Sequence, residues 1–255
     1  MKIAILGRGR VGQGLARALA GTKHTVRVLP GRGISHVSEK TVLLAVPDPA
    51  IASVAARLDL RSTQVILHCS GSLGPDVLPG RSRGVMHPLV SFADPKQPPR
   101  LKGTSFVVAG DARAVKRARS IAKALKARAV EAPIHGAAYH AAAALSANGA
   151  AALAAVAVRV FGELGLEPED AQRAIGALLR TVGENVERVG VPGALSGPVI
   201  RGDDGTVARH RAALDEIDPE ARAAYDAIAP AILDCAQRAG LPPERVEAVR
   251  EALRR

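Results

Sequence analysis

The chain has 255 residues and a net charge of +11; 47% of it is hydrophobic but only 2% aromatic. That much apolar material excludes global disorder, and the length allows one large domain or two smaller ones. Two cysteines, Cys69 and Cys235, exclude a disulfide framework and read as free thiols of a reducing compartment.

The chain opens directly on an apolar strand-like run, KIAIL, with no secretory core before it, so the expectation is a cytoplasmic protein. Further strand-like runs are TVRVL, TVLLAV, QVILH, SFVVAG and RAVEA. Helical patterns lie between several of them, at VGQGLARALA, IASVAARL and VKRARSIAKALKA. This alternation predicts an α/β fold: a doubly wound, mostly parallel Rossmann sheet covered on both faces. Between Leu29 and Thr41 there is no room for a crossover helix, so a loop is expected there. MHPLVSF, with His87 and Pro88, reads as another loop. After Pro133 the pattern turns wholly helical, with runs at 136–164, 169–188, 219–239 and 242–254 separated by Gly- and Pro-bearing breaks. Two domains are therefore expected: 1–133, dinucleotide-binding, and 134–255, all-α. The uncharged run Ala141 to Val158 is mostly alanine and too weakly apolar for a good membrane span, and it reads as a buried helix.

The charge divides along the same line. Residues 1–133 hold 22 basic and 7 acidic side chains, while residues 134–255 hold 13 and 17. A basic first half suits an anionic ligand, or is a solvated surface that aids solubility. Nucleic acid is disfavoured, because five aromatic residues leave little for base stacking and no recognition motif is present.

The sharpest motif is GRGRVG, with Gly7, Arg8, Gly9, Arg10, Val11 and Gly12, running from a strand into a helix. In that context Gly7 permits the tight turn, Gly9 admits a pyrophosphate to the backbone, and Gly12 lets helix and strand pack closely. The free N–H groups of the helix start favour phosphate; a glycine turn without a ligand, or a flavin or S-adenosylmethionine site, is the alternative. An NAD site places an acid at the end of the second strand to hold the ribose. Here VRVLPGRGISH has no acid before Glu39 and offers Arg32 instead, which favours NADP over NAD unless Arg32 is an ordinary exposed loop arginine.

Three loops at strand ends could meet the rest of a ligand. VPDPAI supplies Val46, Pro47 and Asp48 toward the nicotinamide ribose, with Asp48 alternatively a helix cap. HCSGSLG offers Ser70 and Gly71 to an anionic substrate group, or is a plain hydroxyl-rich turn. His87 could face the cleft or be structural. Hydride transfer to a carbonyl or imine needs a proton donor. His140 is the candidate, with a buried structural histidine as the alternative. Asn148, the second catalytic candidate, follows it by about 12 Å along the helix axis and roughly 80° around it, so the two could line one groove at different depths but not grip the same atom, while Tyr139 would point about 100° away, the weaker choice. In LSGPVIRGDDGTVARH, Arg201 is the candidate clamp for a substrate carboxylate, or the partner of Asp203 in a structural pair. No Cys/His metal spacing and no nucleophile elbow are present.

GRGRVG, VPDPAI, HCSGSLG, MHPLVSF, AAYHAAAALSAN and LSGPVIRGDDGTVARH occur in that order. Together they resemble the Rossmann-like NAD(P) oxidoreductases with a C-terminal helical domain of unknown function, within the group that has a 6-phosphogluconate dehydrogenase-like C-terminal domain. The resemblance spans nearly the whole chain and implies an NADP-type cofactor, a cleft between domains and a homodimer formed through the helical domain. Better-known relatives include β-hydroxyacid dehydrogenases, ketopantoate reductases, pyrroline-carboxylate reductases and prephenate dehydrogenases. The β-hydroxyacid enzymes use a Lys and an Asn one helical turn apart, whereas this chain has no Lys after Lys126. The His87–Pro88 pair is similar to the HPM of prephenate dehydrogenases, with Leu89 in place of Met. The expected function is NADPH-dependent reduction of a small oxo- or imino-acid, ketopantoate being one analogy. A non-catalytic NADP sensor and a prephenate dehydrogenase-like enzyme are the alternatives.

Overall fold

A computed structural model of the chain describes residues 1–254. Two compact units divide between Leu145 and Ser146, twelve residues beyond the boundary expected from the loss of strands. Helix α4 (Ala137–Ala144) belongs to the first unit because its start is tied there: the Gly136 N–H donates to the Gly71 carbonyl at 3.2 Å.

The first unit is a seven-stranded sheet in the order β2-β1-β3-β4-β5-β6-β7. The strands are β1 (Lys2–Leu6), β2 (Thr25–Leu29), β3 (Thr41–Leu44), β4 (Val65–His68), β5 (Arg83–Pro88), β6 (Ser105–Gly110) and β7 (Arg128–Glu131). β1 to β5 run parallel, β6 pairs antiparallel with β5, and β7 runs parallel to β6. Six of the seven coincide with the apolar runs. β5 does not: RGVMHP begins with Arg-Gly and ends with His-Pro, the composition of a loop, and its pairing with β4 and β6 makes it a strand. His87 is therefore the penultimate residue of a strand rather than part of a loop.

Helices α1 (Arg10–Leu19), α2 (Asp48–Ala56) and α3 (Ala112–Ala124) cover the sheet. Successive strand residues face opposite sides. Ile3, Ile5, Leu43, Val65 and Leu67 bury against α1 and α3 residues such as Leu15 and Ile121. Ala4, Leu6, Val42, Leu44 and Ile66 bury against Ile51 and Val54 of α2. That double coverage explains why β1, β3 and β4 lack polar alternation. No helix lies between β2 and β3, as the short spacing requires.

The second unit contains α5 (Ala150–Glu163), α6 (Pro168–Ala194), α7 (Pro198–Arg201), α8 (Asp204–Ile217), α9 (Pro219–Arg238) and α10 (Pro243–Arg254). The expected unbroken helix over 136–164 is interrupted by a π-helical turn at Leu145–Gly149. α6 breaks at Gly190 (φ 76°), within the Gly- and Pro-bearing segment that marks its end in the sequence. A core of Val207, Ala229, Leu233, Val246 and Val249 joins α8, α9 and α10. Inside it Arg211, only 6% exposed, donates to both carboxylate oxygens of Asp226 and to the Ala252 carbonyl. The Asp203 and Asp218 carboxylates cap α8 and α9.

The expectation of a buried helix at 141–158 is overturned. The stretch Ala137–Glu163 is long and apolar enough to cross a membrane by length and composition, yet none of its apolar window is buried within the chain. Its alanine-rich face and the neighbouring face of α6, with Leu178, Leu179, Val182, Val186 and Val189 exposed, lack a cover of their own.

Candidate functional site

Two clusters lie at the carboxyl ends of the parallel strands, where open α/β sheets bind ligands. The first is built by the glycine turn between β1 and α1. Gly7 has φ +124°, and a Cβ there would sit 2.1 Å from the Ala45 carbonyl oxygen. A Cβ on Gly12 would come within 2.1 Å of the Gly7 carbonyl oxygen. The protein itself thus enforces these two glycines. Gly9 differs: a Cβ there meets nothing within 4 Å. Its backbone is open to whatever approaches the start of α1, which carries no acidic residue in its first turn.

That turn forms part of a groove of about 920 Å³ lined by Gly7, Arg8 and Gly9, by Pro30 to Arg32 after β2, by Ala45 to Pro47 after β3, and by one face of α2 ending at Arg57. Three arginines line it and no carboxylate does. Glu39, the first acid after β2, is committed elsewhere. It takes two hydrogen bonds from Arg27, at 2.6 and 2.9 Å, and these hold its carboxyl below the usual carboxylate range. The residues present fit a phosphorylated dinucleotide: an open backbone, a helix start and unopposed cationic side chains.

Several expected contacts are redistributed. Arg8, Arg32, Val46 and Pro47 line the groove, whereas Arg10 and Val11 do not. Arg10 opens α1 and is exposed, and Val11, one helical step further round, packs on the core. Arg57 was not singled out by the sequence, because a lone arginine at a helix end carries no local signal. Asp48 neither lines the groove nor caps α2. Its carboxylate accepts hydrogen bonds from the hydroxyls of Ser70 (2.8 Å) and Ser72.

The second cluster surrounds His87. The Ser70 hydroxyl donates to Asp48 and accepts from the Ser72 and Leu73 N–H groups at 3.1 and 3.2 Å, so its bonding capacity is used within the loop. His68, fully buried, accepts from the Ser70 N–H through Nδ1 and, in that tautomer, donates from Nε2 to the Gly74 carbonyl. Burial depresses its basicity. The loop so fixed presents Gly71, where a Cβ would stand 2.9 Å from the His87 ring and 3.1 Å from the His140 ring. Glycine at 71 is what admits both imidazoles.

His87 Nδ1 lies 2.7 Å from the Tyr139 hydroxyl. The His87 ring is edge-on to Tyr139 at 5.5 Å and to His140 at 6.2 Å, and His135 is edge-on to Tyr139 at 5.5 Å. Burial first, then the neighbouring His140 and His135, push His87 down to about 4. Burial pushes the Tyr139 phenol up to about 12. At neutral pH the pair is therefore a neutral imidazole and a protonated phenol. Tyr139, the weaker choice by helical phase, makes the hydrogen bond to His87, while His140 is exposed beside it. A partner 52 residues away in sequence left no local sign.

Asn148 and Arg201 belong to the second unit. Asn148 is exposed within the π-helical turn, so the α-helical spacing that related it to His140 does not apply. Arg201 is exposed at the end of α7. It is not ion-paired with Asp203, whose carboxylate accepts the Thr206 N–H instead. Among the described residues no cluster of His, Cys, Asp and Glu could hold a metal ion.

Residues 104–232, half of the chain, match the family described as a domain of unknown function, DUF2520. The chain belongs to the DUF2520 family. No curated protein matches the sequence. Among solved structures, the family member described here is similar to a Thermotoga maritima protein at 26% identity, with a TM-score of 0.71 over 93% of this chain and 99% of that one. It is also similar to a Bacteroides fragilis protein at 19% identity, TM-score 0.69, covering 91% and 98%. A third is the pyrroline carboxylate reductase of Plasmodium falciparum with NADP bound, at 15% identity, TM-score 0.59, covering 92% and 98%. The last two likenesses establish a shared Rossmann-type sheet with a helical C-terminal region.

Proposed function

We propose that this protein is an NADP-dependent oxidoreductase acting on a small oxo- or imino-acid. The observation that carries the reading is the groove beside Gly9, lined by Arg8, Arg32 and Arg57 and by no carboxylate. An acid there would favour the ribose hydroxyls of NAD and repel a 2′-phosphate. The likeness to a pyrroline carboxylate reductase with NADP bound supports the reading and its imino-acid side. A nicotinamide dinucleotide bound in the groove would supply the hydride. The turn at Gly7 and Gly9, the α1 N–H groups and Arg8 would hold the pyrophosphate, and Arg32 the 2′-phosphate. Val46 and Pro47 would border the nicotinamide ribose.

The proton would come from the cluster at the end of β5. With the proton on Nδ1, His87 donates to the Tyr139 oxygen and leaves the phenol proton free for a substrate oxygen or nitrogen. His140, exposed beside the pair, would exchange protons with solvent. Gly71, held by the Asp48–Ser70–Ser72 network, would border the substrate.

A paired NADPH and NADH titration of the purified protein tests the cofactor, and oxidation of NADPH followed at 340 nm against a panel of 2-oxo-acids and cyclic imino-acids tests the chemistry. Tight NADPH binding without turnover of any panel member would favour a non-catalytic NADP sensor. We also propose that a second copy of the chain covers the exposed apolar faces of α5 and α6, since monomers rarely leave such large contiguous patches open. Light scattering of the purified protein should give twice the chain mass of 26.3 kDa. A monomer at micromolar concentration would exclude this.

A further inference from the structure

We propose that Arg57 is a second cofactor-specificity residue, closing with Arg32 on the 2′-phosphate of the dinucleotide from a different wall of the groove. The inference rests on the cofactor reading above and extends it to a residue that no motif marks. α2 lines the groove with Pro49, Ala50, Ser53 and Val54, and Arg57 caps its C-terminus. Positions 50, 53, 54 and 57 share one helical face. That face is small and uncharged until its last member, so Arg57 is the only ionic group α2 lends to the groove. Arg32 enters from the loop after β2.

Charge balance gives the second arginine its purpose. A phosphate monoester carries about 1.5 to 2 negative charges at neutral pH, more than Arg32 alone neutralises, and Arg8 lies between the two glycines of the pyrophosphate turn. Arg27, Arg61 and Arg113 of the same unit are spent on the fold, on Glu39, on the Ser38 carbonyl, and on the Ser62 and Thr63 carbonyls. Among the described residues none accepts a hydrogen bond from the side chain of Arg32 or Arg57, which leaves both for a ligand.

Calorimetric titration of wild type, Arg57→Ala and Arg32→Ala with NADPH, NADH, adenosine 2′,5′-bisphosphate and 5′-AMP tests the assignment. Loss of one charge-assisted hydrogen bond should weaken NADPH and the bisphosphate about tenfold in Arg57→Ala, leaving NADH and AMP within about twofold. The melting temperature should not move, because the exposed side chain supports no contact of the fold. If wild type binds neither dinucleotide, the cofactor reading itself fails and takes this assignment with it. If wild type binds dinucleotides but Arg57→Ala weakens NADPH and NADH alike, or neither, or if wild type does not distinguish them, the role given to Arg57 is wrong while the cofactor reading stands.

Discussion

Alanine at Gly9 separates ligand binding from folding. Gly9 is the N-cap of α1, with φ −76° and ψ −174°, a conformation open to any residue. A methyl group there meets no protein atom within 4 Å. Two small terms act on stability. Alanine restricts the unfolded chain, a gain of about 0.4–1 kcal/mol. It is also a poorer N-cap than glycine, a loss of roughly 0.5–1 kcal/mol. The two nearly cancel, so Gly9→Ala should melt within a few degrees of wild type, at roughly 2–4 °C per kcal/mol for a chain of this size. Gly12→Ala provides the contrast, because its Cβ would stand 2.1 Å from the Gly7 carbonyl oxygen and force α1 to retreat. Such overpacking costs about 1–3 kcal/mol, a fall of roughly 2–12 °C. For the ligand the order reverses. If a pyrophosphate lies against Gly9, the same overlap raises the Kd for NADPH roughly 5- to 150-fold in the stable Gly9→Ala protein. Thermal melts and NADPH titrations of the two variants check both halves. A Gly9→Ala protein that melts as low as Gly12→Ala, or that binds NADPH like wild type, refutes the reasoning.

Tyr139→Phe should cost about 1 kcal/mol of stability for the hydrogen bond to His87, leave NADPH affinity unchanged, and lower turnover of a responding oxo- or imino-acid roughly 10²- to 10⁴-fold. Undiminished turnover at 340 nm would place the proton donor elsewhere. Asp226→Ala should destabilise the protein by about 3–5 kcal/mol in urea titration, since it strands the buried Arg211 charge, whereas an unchanged midpoint would show the ion pair to be dispensable. Stability should also depend on pH. His87 titrates near 4 in the folded protein, below its ordinary value of 6.5, so the unfolded chain protonates first and stability falls as pH drops from about 6.5 to about 4. His24, His68 and His135 are lowered by burial and act in the same direction. The urea midpoint should therefore fall less between pH 7 and pH 4.5 in His87→Asn than in wild type, and an equal fall would exclude His87 as a contributor.

The division between what the residues announce and what they conceal follows the range of each interaction. Strands β1, β3 and β4 are visible as apolar runs because burial on both faces leaves its mark on every residue. The glycine turn is visible because Gly7 and Gly12 answer steric demands that recur wherever a strand turns tightly into a helix. The absent helix between β2 and β3 follows from chain length alone. β5 is hidden because its strand character comes from its two neighbours in the sheet rather than from its own six residues. The exposed face of α5 is hidden for a related reason: an apolar helix reads the same whether its own chain or another body covers it.

At the candidate site the sequence by itself determined the glycine turn between β1 and α1, the missing acid after β2 and the presence of Arg32. Only the tertiary structure decided that Asp48 serves the serine loop, that Arg57 reaches the groove and that His87 meets Tyr139. Each of these joins side chains many residues apart. Helical phase can say which way Tyr139 points from its own axis, but only the packing of α4 beside the end of β5 says what it points at.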